Sequence, residues 1–217
     1  MKIAIIGAGN VGRALATSFS RAGHDIVVTS RDPQHAIDLA ASVRRATTAP
    51  SPRAAAQSAD LVVLAIPFAG AAGVALDIRP AIAGKPVVDV TNRMSFGANG
   101  AEMDTSTSNA EELAVLLPEA RIVKAFNTLF ASHQSEPTLD GVTLDGFVAG
   151  DDAGAKAMVI ELVASIGLNP VDVGPLVRAR QLESLAFLNI ALQLANDGGW
   201  QSGWKLVDAP STVLLAA

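Results

Sequence analysis

The chain has 217 residues, of which 50% are hydrophobic and only 17% are charged, a composition that predicts a compact globular protein with a sizeable buried core. Its formal net charge of −5 argues against nucleic acid or an anionic membrane as a partner, so any phosphate must be bound locally. The absence of cysteine and tyrosine excludes disulfides, thiolate chemistry and the tyrosine proton donor of short-chain dehydrogenases, and three scattered histidines predict no metal site.

Residues 1–31 predict a strand, a glycine-rich turn, a helix and a second strand. The opening segment Lys2–Ile6 is apolar without alternation, as expected of a parallel strand buried on both faces. A Gly-Ala-Gly-Asn-Val-Gly turn follows at once and begins a helix that ends before Gly23. In such a turn the glycines permit a tight bend, a close approach of pyrophosphate and close packing of helix on strand. The residues predicted to hold a dinucleotide here are Gly7, Ala8, Gly9, Asn10, Val11 and Gly12.

The end of the second strand indicates which dinucleotide binds. An acidic residue there would bind the ribose hydroxyls of NAD, but this chain has Thr29-Ser30-Arg31. Ser30 can donate a hydrogen bond to the 2′-phosphate of NADP, and the Arg31 guanidinium can pair with that phosphate. Asp32 could be a displaced ribose-binding acid, although Asp32-Pro33 is also typical of a helix start. The pattern therefore favours NADP over NAD.

Buried strands are also predicted at 60–66, 87–90 and 121–126, each followed by a turn. In an open α/β sheet the ligands lie outside the carboxyl ends of the strands, so these turns should meet at the cofactor. The residues predicted to line the dinucleotide are Ala65, Ile66, Pro67 and Asn92. The third turn brings Asn127 and Thr128 to the same edge.

Two long connections interrupt this pattern. The segment from Met94 to Thr107 is predicted as a loop, either a lid over the substrate or a mobile surface excursion. A capping box at Ser108 and Glu111 then starts a helix. The second connection carries His133, the one histidine placed to reach a substrate, for which contact with solvent is the alternative.

The predicted fold is α/β, a Rossmann-like doubly wound and mostly parallel sheet with a short helical C-terminal extension. We expect an NADP-binding domain at 1–175 and an extension at 176–217 that completes the core. The predicted helix at 179–196 is apolar on more than one side, which favours burial between this chain and a second copy in a homodimer. With neither a membrane span nor a cleavable leader in the sequence, we expect a cytoplasmic protein.

Six short motifs occur in a fixed order along the chain. They are Ile-Gly-Ala-Gly-Asn-Val-Gly at 6–12, Thr-Ser-Arg at 29–31, Ala-Ile-Pro at 65–67, Lys-Ala-Phe-Asn-Thr at 124–128, Ala-Gly-Asp-Asp at 149–152 and Val-Gly-Pro-Leu at 173–176. Together they resemble the NADP oxidoreductases that depend on the deazaflavin coenzyme F420, and they are similar to the related cytosolic domain of the STEAP metalloreductases. The resemblance implies that Gly9, Asn10 and Val11 hold the pyrophosphate, that Ser30 and Arg31 hold the 2′-phosphate, and that Ile66-Pro67 contact the nicotinamide half. The segments at 91–93 and 126–128 are more similar to the metalloreductase branch.

The predicted function is hydride transfer between NADPH and a flavin-type acceptor, namely coenzyme F420, FMN or FAD. A flavin-type ring needs no side-chain acid or base, so no catalytic residue is predicted, and Asn127 and Thr128 should hydrogen-bond the ring edge. His133 is retained as a candidate substrate contact. Two alternatives stay open: an NADP-binding sensor without turnover, and a small reductase similar to hydroxyacid or imine dehydrogenases, which would need a larger helical domain or a dimer partner.

Overall fold

The computed structural model describes residues 1–97 and 100–207, so the last ten residues of the predicted extension lie outside the described residues. The strands are β1 Lys2–Ile6, β2 Asp25–Thr29, β3 Ala46–Thr48, β4 Leu61–Leu64, β5 Pro86–Asp89, β6 Met94–Gly97, β7 Gly100–Met103, β8 Arg121–Ala125, β9 Thr138–Leu139, β10 Val142–Thr143, β11 Asp145–Gly150 and β12 Asn169–Asp172. The helices are α1 Asn10–Arg21, α2 Pro33–Ser42, α3 Pro52–Ser58, α4 Phe68–Ile78, α5 Asn109–Leu116, α6 Ala131–Ser135, α7 Ala153–Ser165 and α8 Ala179–Ala195, with 3-10 turns at Arg79–Ala81 and Leu176–Arg178.

Eight strands form one sheet in the order β12-β11-β8-β5-β4-β1-β2-β3. The six strands from β8 to β3 are parallel to their neighbours. Strand β11 runs antiparallel to β8 and is followed by β12, which is parallel to β11. The order reverses at β1, as in doubly wound dinucleotide-binding folds, and the predicted fold class is confirmed.

Helices cover both faces of the sheet, which is why the strands carry no polar alternation. In β1, Ile3 and Ile5 lie in one core cluster with Phe19 of α1, whereas Ala4 and Ile6 lie in a second cluster with α3 and α4. Full burial of a side chain the size of isoleucine contributes about 1.5–3 kcal/mol, so the central strands supply much of the apolar stabilisation.

The sequence predicts one helix from residue 33 to about residue 45 and another from 68 to 83, and both end earlier in the structure. Helix α2 ends at Ser42 instead of near residue 45, because Val43 takes an extended backbone conformation. Helix α4 ends at Ile78 and continues only as the short 3-10 turn that contains Pro80, since proline lacks the N–H that a longer α-helix requires.

Both long connections contain structure that the sequence did not predict. The loop predicted at 94–107 includes β6 and β7, which pair antiparallel with Met94 opposite Met103; residues 98–99 lie outside the described residues. The second connection includes helix α6 and the small β9–β10 hairpin. The polar and glycine-rich composition of these segments hides short strands that depend on pairing with each other.

The helix predicted at 179–196 is confirmed as α8. One face of α8 buries Leu182 and Ala186, whereas Leu188, Leu192 and Leu194 are about half exposed. Beyond α8, residues 197–207 return to the sheet, where the Asp145 amide donates to the Trp204 carbonyl (3.2 Å). We call residues 197–207 the C-terminal strap. Among the described helices, none is long and apolar enough to cross a membrane.

Candidate active site

The glycine-rich turn joins β1 to α1. Two of its positions, Gly7 and Gly12, have no room for a side chain. Gly7 has a φ of +115°, and a Cβ on it would lie 2.0 Å from the Ala65 carbonyl oxygen. A Cβ on Gly12 would lie 2.0 Å from the carbonyl oxygen of Gly7. The turn after β4, the turn after β1 and helix α1 are therefore in direct backbone contact, which fixes the first N–H groups of α1 at the carboxyl edge of the sheet.

Gly9 differs from its two neighbours in the motif. Its φ is −74°, which any residue can adopt, and a Cβ there would meet nothing within 4 Å. Gly9 is also the N-cap of α1, and no side chain caps this helix end. The first N–H groups of a helix and its dipole favour an anion, so the open space at Gly9 fits the pyrophosphate of a dinucleotide.

The end of β2 presents the residues predicted to select NADP. Ser30 is half-buried and Arg31 is exposed. Asp32 caps α2 by accepting from the Gln34 amide (2.9 Å), and its other oxygen lies 3.8 Å from His35 Nε2. The helix-cap interpretation of Asp32 is thereby confirmed. Asp32 is engaged with its own helix, and Arg31 is the cation at the strand end.

A cavity of about 230 Å³ opens at the carboxyl ends of β5 and β8. It is lined by Val11, Val90, Asn92, Phe126, Asn127, Thr128, Leu129, Phe130, Ala131, Gln134, Ile190 and Trp200. The structure therefore brings Val11 of the glycine-rich turn together with Asn92, Asn127 and Thr128, as predicted. None of the lining residues carries an ionisable side chain, so the cavity offers amides, one hydroxyl and apolar surface.

Other predicted site residues lie outside this lining. Ala65 and Ile66 pack against the glycine-rich turn at Gly7, and the exposed Pro67 caps α4. A second cavity, of about 350 Å³, is bounded by Phe68 and the β6–β7 hairpin. Its wall includes Arg93, whose guanidinium lies 5.4 Å from the centre of the Phe68 ring and pairs with Asp104 at 3.2 Å.

Two asparagines from neighbouring turns hold each other in the cavity wall. Asn127 Nδ2 donates to Asn92 Oδ1 (2.9 Å) and to the Leu182 carbonyl (3.0 Å), and Asn92 Nδ2 donates to the Asn127 carbonyl (3.2 Å). Asn127 Oδ1 is buried and has no hydrogen-bond partner among the described residues. The same holds for Gln134 Oε1, whose amide nitrogen donates to the Phe126 carbonyl (3.1 Å).

These two amide oxygens matter because a buried acceptor without a partner costs about 1–3 kcal/mol. Both belong to residues that line the same cavity. A ligand with N–H donors would satisfy them, and both the carboxamide of nicotinamide and the ring edge of a flavin or deazaflavin carry such donors.

The turn after β8 is strained. Phe126 has a φ of +63°, a left-handed conformation that is uncommon for a bulky residue, and its side chain is fully buried. The Phe126 ring packs edge-on against Phe19 of α1, with 5.7 Å between the ring centres. Such strain costs about 1–3 kcal/mol and is found where a backbone must be held in one position. Here it directs the chain so that Asn127 meets Asn92.

Behind these turns lies a fully buried group of charges, which we call the charge cluster: Asp89 at the end of β5, Lys124 in β8 and Glu183 in α8. Lys124 Nζ donates to Asp89 Oδ2 (2.8 Å), to Glu183 Oε1 (2.7 Å) and to the Thr91 carbonyl. All three charged side chains have no exposed surface. The ammonium therefore bridges the two turns of the site and the C-terminal helix.

Glu183 extends the charge cluster to two backbone amides. Its Oε2 accepts from the Arg93 amide (3.0 Å), and its Oε1 accepts from the Asn109 amide (2.9 Å) at the start of α5. The roles of Asp89, Lys124 and Glu183 were not predicted from the sequence. The available signal was the charged residue in each of three apolar segments, Val-Val-Asp-Val, Ile-Val-Lys-Ala and the α8 stripe.

His133, the predicted substrate contact, does not line the cavity. It is 3% exposed, and its Nε2 lies 2.6 Å from the Gln201 carbonyl oxygen while its Nδ1 lies 3.3 Å from the Glu136 carbonyl oxygen. Both ring nitrogens thus face backbone acceptors. His133 holds two segments of this chain together, because a small hydrogen-bonding ring in a polar loop can satisfy the backbone as readily as a ligand.

The fold defines a Rossmann-type dinucleotide-binding protein, with a cavity at the carboxyl edge of its sheet. Residues 2–93 match the model of the coenzyme F420-dependent NADP oxidoreductase family. The F420-dependent NADP reductase of Methanothermobacter thermautotrophicus is 32% identical over 212 residues, which cover 90% of each chain. The protein belongs to this family of F420-dependent NADP reductases, and the predicted resemblance is confirmed.

Two further relatives agree with that assignment. Metalloreductase STEAP3 of Rattus norvegicus is 32% identical over 184 residues, or 85% of this chain, but the chain spans only 36% of the length of STEAP3. The crystal structure of a candidate F420-dependent NADP-reductase from Arthrobacter sp. FB24 superposes with a TM-score of 0.82 at 30% identity, covering 91% of this chain and 96% of the other.

Proposed function

We propose that this protein is an NADPH-dependent oxidoreductase that transfers hydride between the nicotinamide and a flavin-type acceptor, namely coenzyme F420, FMN or FAD. The observation that supports the proposal most strongly is the cavity at the ends of β5 and β8. Its lining contains no ionisable side chain, and two of its residues carry buried amide oxygens without a partner. A ring with N–H donors at its edge fits such a lining, and family membership favours the same chemistry.

NADP fits the residues at the phosphate side. The open space at Gly9 and the N–H groups of α1 would hold the pyrophosphate, and Ser30 and Arg31 would hold the 2′-phosphate. Val11 lines the acceptor cavity, so the glycine-rich turn and the acceptor pocket share a wall. When bound, the reduced cofactor supplies the hydride. The chain then has to place two planar rings against each other and exclude water between them.

The polar groups of the cavity act by orientation. Asn92 and Asn127 fix each other, which leaves Asn127 Oδ1 to accept a hydrogen bond from the ring edge. Thr128 adds a hydroxyl at the same edge. Reduction of a simple carbonyl would need a proton donor at the forming alkoxide, and no residue lining the cavity can serve as one. A flavin-type ring delocalises the added charge and can take its proton from water.

The acceptor can be identified by following loss of reduced nicotinamide. Purified protein with NADPH should be tested against F420, FMN, FAD, quinones and ferric chelates. We expect turnover with a flavin-type acceptor and much slower turnover with simple ketones and imines. NADP binding with no turnover on any acceptor would overturn the proposal and favour the sensor. Rapid reduction of a ketone or imine would instead favour the dehydrogenase-like alternative.

We also propose that the protein acts as a homodimer through α8. On that helix, Leu188, Leu192 and Leu194 are 47–49% exposed, although one face of the helix is already buried. Exposed apolar surface of this kind is typical of an interface between subunits. Light scattering of the wild type should give a dimer, and Leu188→Asp combined with Leu192→Asp should give a monomer. A wild-type monomer at micromolar concentration contradicts the proposal, as does a dimer that the double substitution leaves intact.

A further inference from the structure

The geometry points to Trp200 as a specificity-determining residue that forms a wall of the acceptor cavity and restricts the acceptor to planar conjugated rings. This inference rests on the proposed function, because it concerns the substrate class of the same cavity. Trp200 is carried by the C-terminal strap, far in sequence from the other lining residues except Ile190 of α8. Three observations support this role: the contacts that anchor the strap, the conformation of Trp200 and the composition of the cavity.

The strap is anchored on the C-terminal side of Trp200 by polar contacts to the body of the protein. Gln193 Nε2 of α8 donates to Ser202 Oγ (2.8 Å), and Ser202 Oγ also contacts Asn189 Oδ1. Farther along, the fully buried Asp145 accepts from Lys205 Nζ (2.7 Å) and from the Leu206 amide (2.6 Å). A segment without regular secondary structure that makes this many contacts is held in one place.

His133 adds the contact nearest to Trp200. Both ring nitrogens face carbonyl oxygens, which can only accept, and the contact of Nε2 with the Gln201 carbonyl (2.6 Å) is the shorter of the two. An N–H on Nε2 donates to the residue next to Trp200. His133 belongs to α6, the helix whose first residue, Ala131, lines the cavity. His133 is thus a positioning residue: it couples the α6 wall of the cavity to the strap without facing the cavity.

Trp200 itself is held in an unusual conformation. Its φ is +56°, in the left-handed region that bulky residues rarely adopt, and its amide donates to Gln193 Oε1 (2.8 Å). The indole packs edge-to-face on Phe130, with 5.4 Å between the ring centres and 74° between the planes. Yet the residue is 42% exposed. Burial alone does not account for a strained tryptophan at this position, whereas a wall for a ring ligand does.

The composition of the cavity favours a planar ring with donor groups at its edge. Phe130 and Trp200 give it an aromatic wall, and two other lining residues, Asn127 and Gln134, carry buried amide oxygens without a partner among the described residues. An aromatic wall favours planar π systems, and the amide oxygens favour those with donor edges. Flavins and deazaflavins have both properties. Quinones lack the donors, and aliphatic carbonyl compounds lack the ring.

The chain allows a direct test, since it has two tryptophans and no tyrosine. In a Trp204→Phe background, Trp200 is the sole indole, and its fluorescence reports what binds against it. Titration with FMN should quench this emission. In steady-state assays, Trp200→Ala should raise the KM for the flavin-type acceptor about tenfold, because one aromatic contact is lost, while the Kd for NADPH stays unchanged. Trp200→Phe should restore most of the affinity.

Two further variants separate a wall from a general structural role. Gln201→Ala keeps the carbonyl that His133 contacts and should behave like the wild type. His133→Ala releases the strap, so it should raise the KM for the acceptor in the same way as Trp200→Ala, with kcat nearly unchanged. A fall in kcat beyond a hundredfold in His133→Ala at unchanged KM would overturn its positioning role, since such a loss is typical of a lost acid catalyst.

The failure of this inference is distinguishable from the failure of the proposed function. If the wild type reduces a flavin-type acceptor but Trp200→Ala has an unchanged KM, the function stands and the wall is overturned. If the wild type reduces no acceptor, the proposed function fails. The quenching of Trp200 emission by FMN then tests alone whether Trp200 forms a wall of the cavity. Emission of Trp200 that FMN leaves unquenched at saturating concentration overturns the wall in either case.

Discussion

At the phosphate end of the carboxyl edge, residues 7–12 and 30–31, the groups proposed to hold the cofactor come from one β-α-β unit. At the acceptor end, the turns 90–93 and 126–128, the supporting side chains come from β5, β8, α5, α8 and the strap. The phosphate end relies on backbone N–H groups that glycine leaves accessible. The acceptor end relies on buried side chains that fix one another. The groups of the proposed phosphate site are thus close together in sequence, whereas those of the proposed acceptor site are brought together from across the chain.

The largest expected effect comes from breaking the charge cluster. Lys124→Met would leave the carboxylates of Asp89 and Glu183 without their cation, and both have no exposed surface. Removing one partner of a buried ion group costs about 3–5 kcal/mol, and we expect that loss in the free energy of unfolding measured with urea. Lys205→Met is the matched control. Lys205 also pairs with a buried carboxylate, that of Asp145, but is itself 33% exposed. Equal losses in the two variants would contradict the special role of Lys124.

At the phosphate end, Arg31→Ala tests the selection of NADP. A charge-assisted hydrogen bond contributes about 1.5–3 kcal/mol, so the Kd for NADP(H) should rise roughly tenfold to a hundredfold while that for NAD(H) stays nearly unchanged. Isothermal titration calorimetry measures both. Arg45→Ala is a suitable control, because Arg45 pairs with Asp25 at the surface. Losses of the same size for both dinucleotides would show that Arg31 does not bind the 2′-phosphate.

A smaller effect is expected from a substitution that tests whether the glycine-rich turn holds the pyrophosphate. Gly9→Ala introduces a methyl group into space that is open in the protein, at a φ of −74° that alanine tolerates, so the melting temperature should hardly change. If the pyrophosphate lies there, both NADP(H) and NAD(H) should bind about tenfold more weakly, a loss of about 1.4 kcal/mol. Gly12→Ala should instead destabilise the fold, because its Cβ would lie 2.0 Å from the Gly7 carbonyl oxygen. Unchanged dinucleotide binding in Gly9→Ala would place the phosphates elsewhere.

The smallest effect is expected for a partly exposed ion pair that joins Glu111 of α5 to Arg180 of the C-terminal helix α8. Arg180 donates to both carboxylate oxygens of Glu111 (2.8 and 2.7 Å), and these hydrogen bonds hold the pKa of Glu111 below its ordinary value of 4.5. A depressed pKa stabilises the folded state above the ordinary pKa, and the contribution is lost as the pH falls through the folded pKa. Glu111→Gln should therefore cost about 0.5–1 kcal/mol at pH 7, and the difference from the wild type should disappear in acid. A difference that stays constant as the pH falls from 7 into strong acid would contradict this explanation.

The sequence predicts best where a structure depends on neighbours along the chain. The Asp32 cap and the capping box of Ser108 and Glu111 are local hydrogen bonds, and both are confirmed. A short edge strand that the sequence predicts at 46–49 is confirmed as Ala46–Thr48, because its neighbours in the sheet follow from the β-α-β pattern. The order of the parallel strands follows from the same rule.

The acceptor end could not be predicted in the same way. Asp89 and Lys124 are 35 residues apart and Lys124 and Glu183 are 59 apart, so no periodic signal predicts their contact. His133 carried the right chemistry for a ligand, but the nearby strap carbonyl takes its N–H. The strand pair at 94–103 is weakly patterned and forms only through its own cross-strand pairing. In each case the deciding partner is distant in sequence.

Glu183 also sets an order in which the two ends can be completed during synthesis. Its carboxylate accepts from Lys124 Nζ and from the Arg93 and Asn109 amides, so these three hydrogen bonds cannot form until α8 has been synthesised. The glycine-rich turn, by contrast, needs only residues up to β4, since Gly7 closes against Thr29 and Ala65. The backbone contacts of the proposed phosphate site can therefore form in the growing chain before those of the proposed acceptor site. If the proposed function holds, a partly synthesised chain would bind the dinucleotide phosphates before its acceptor cavity is complete.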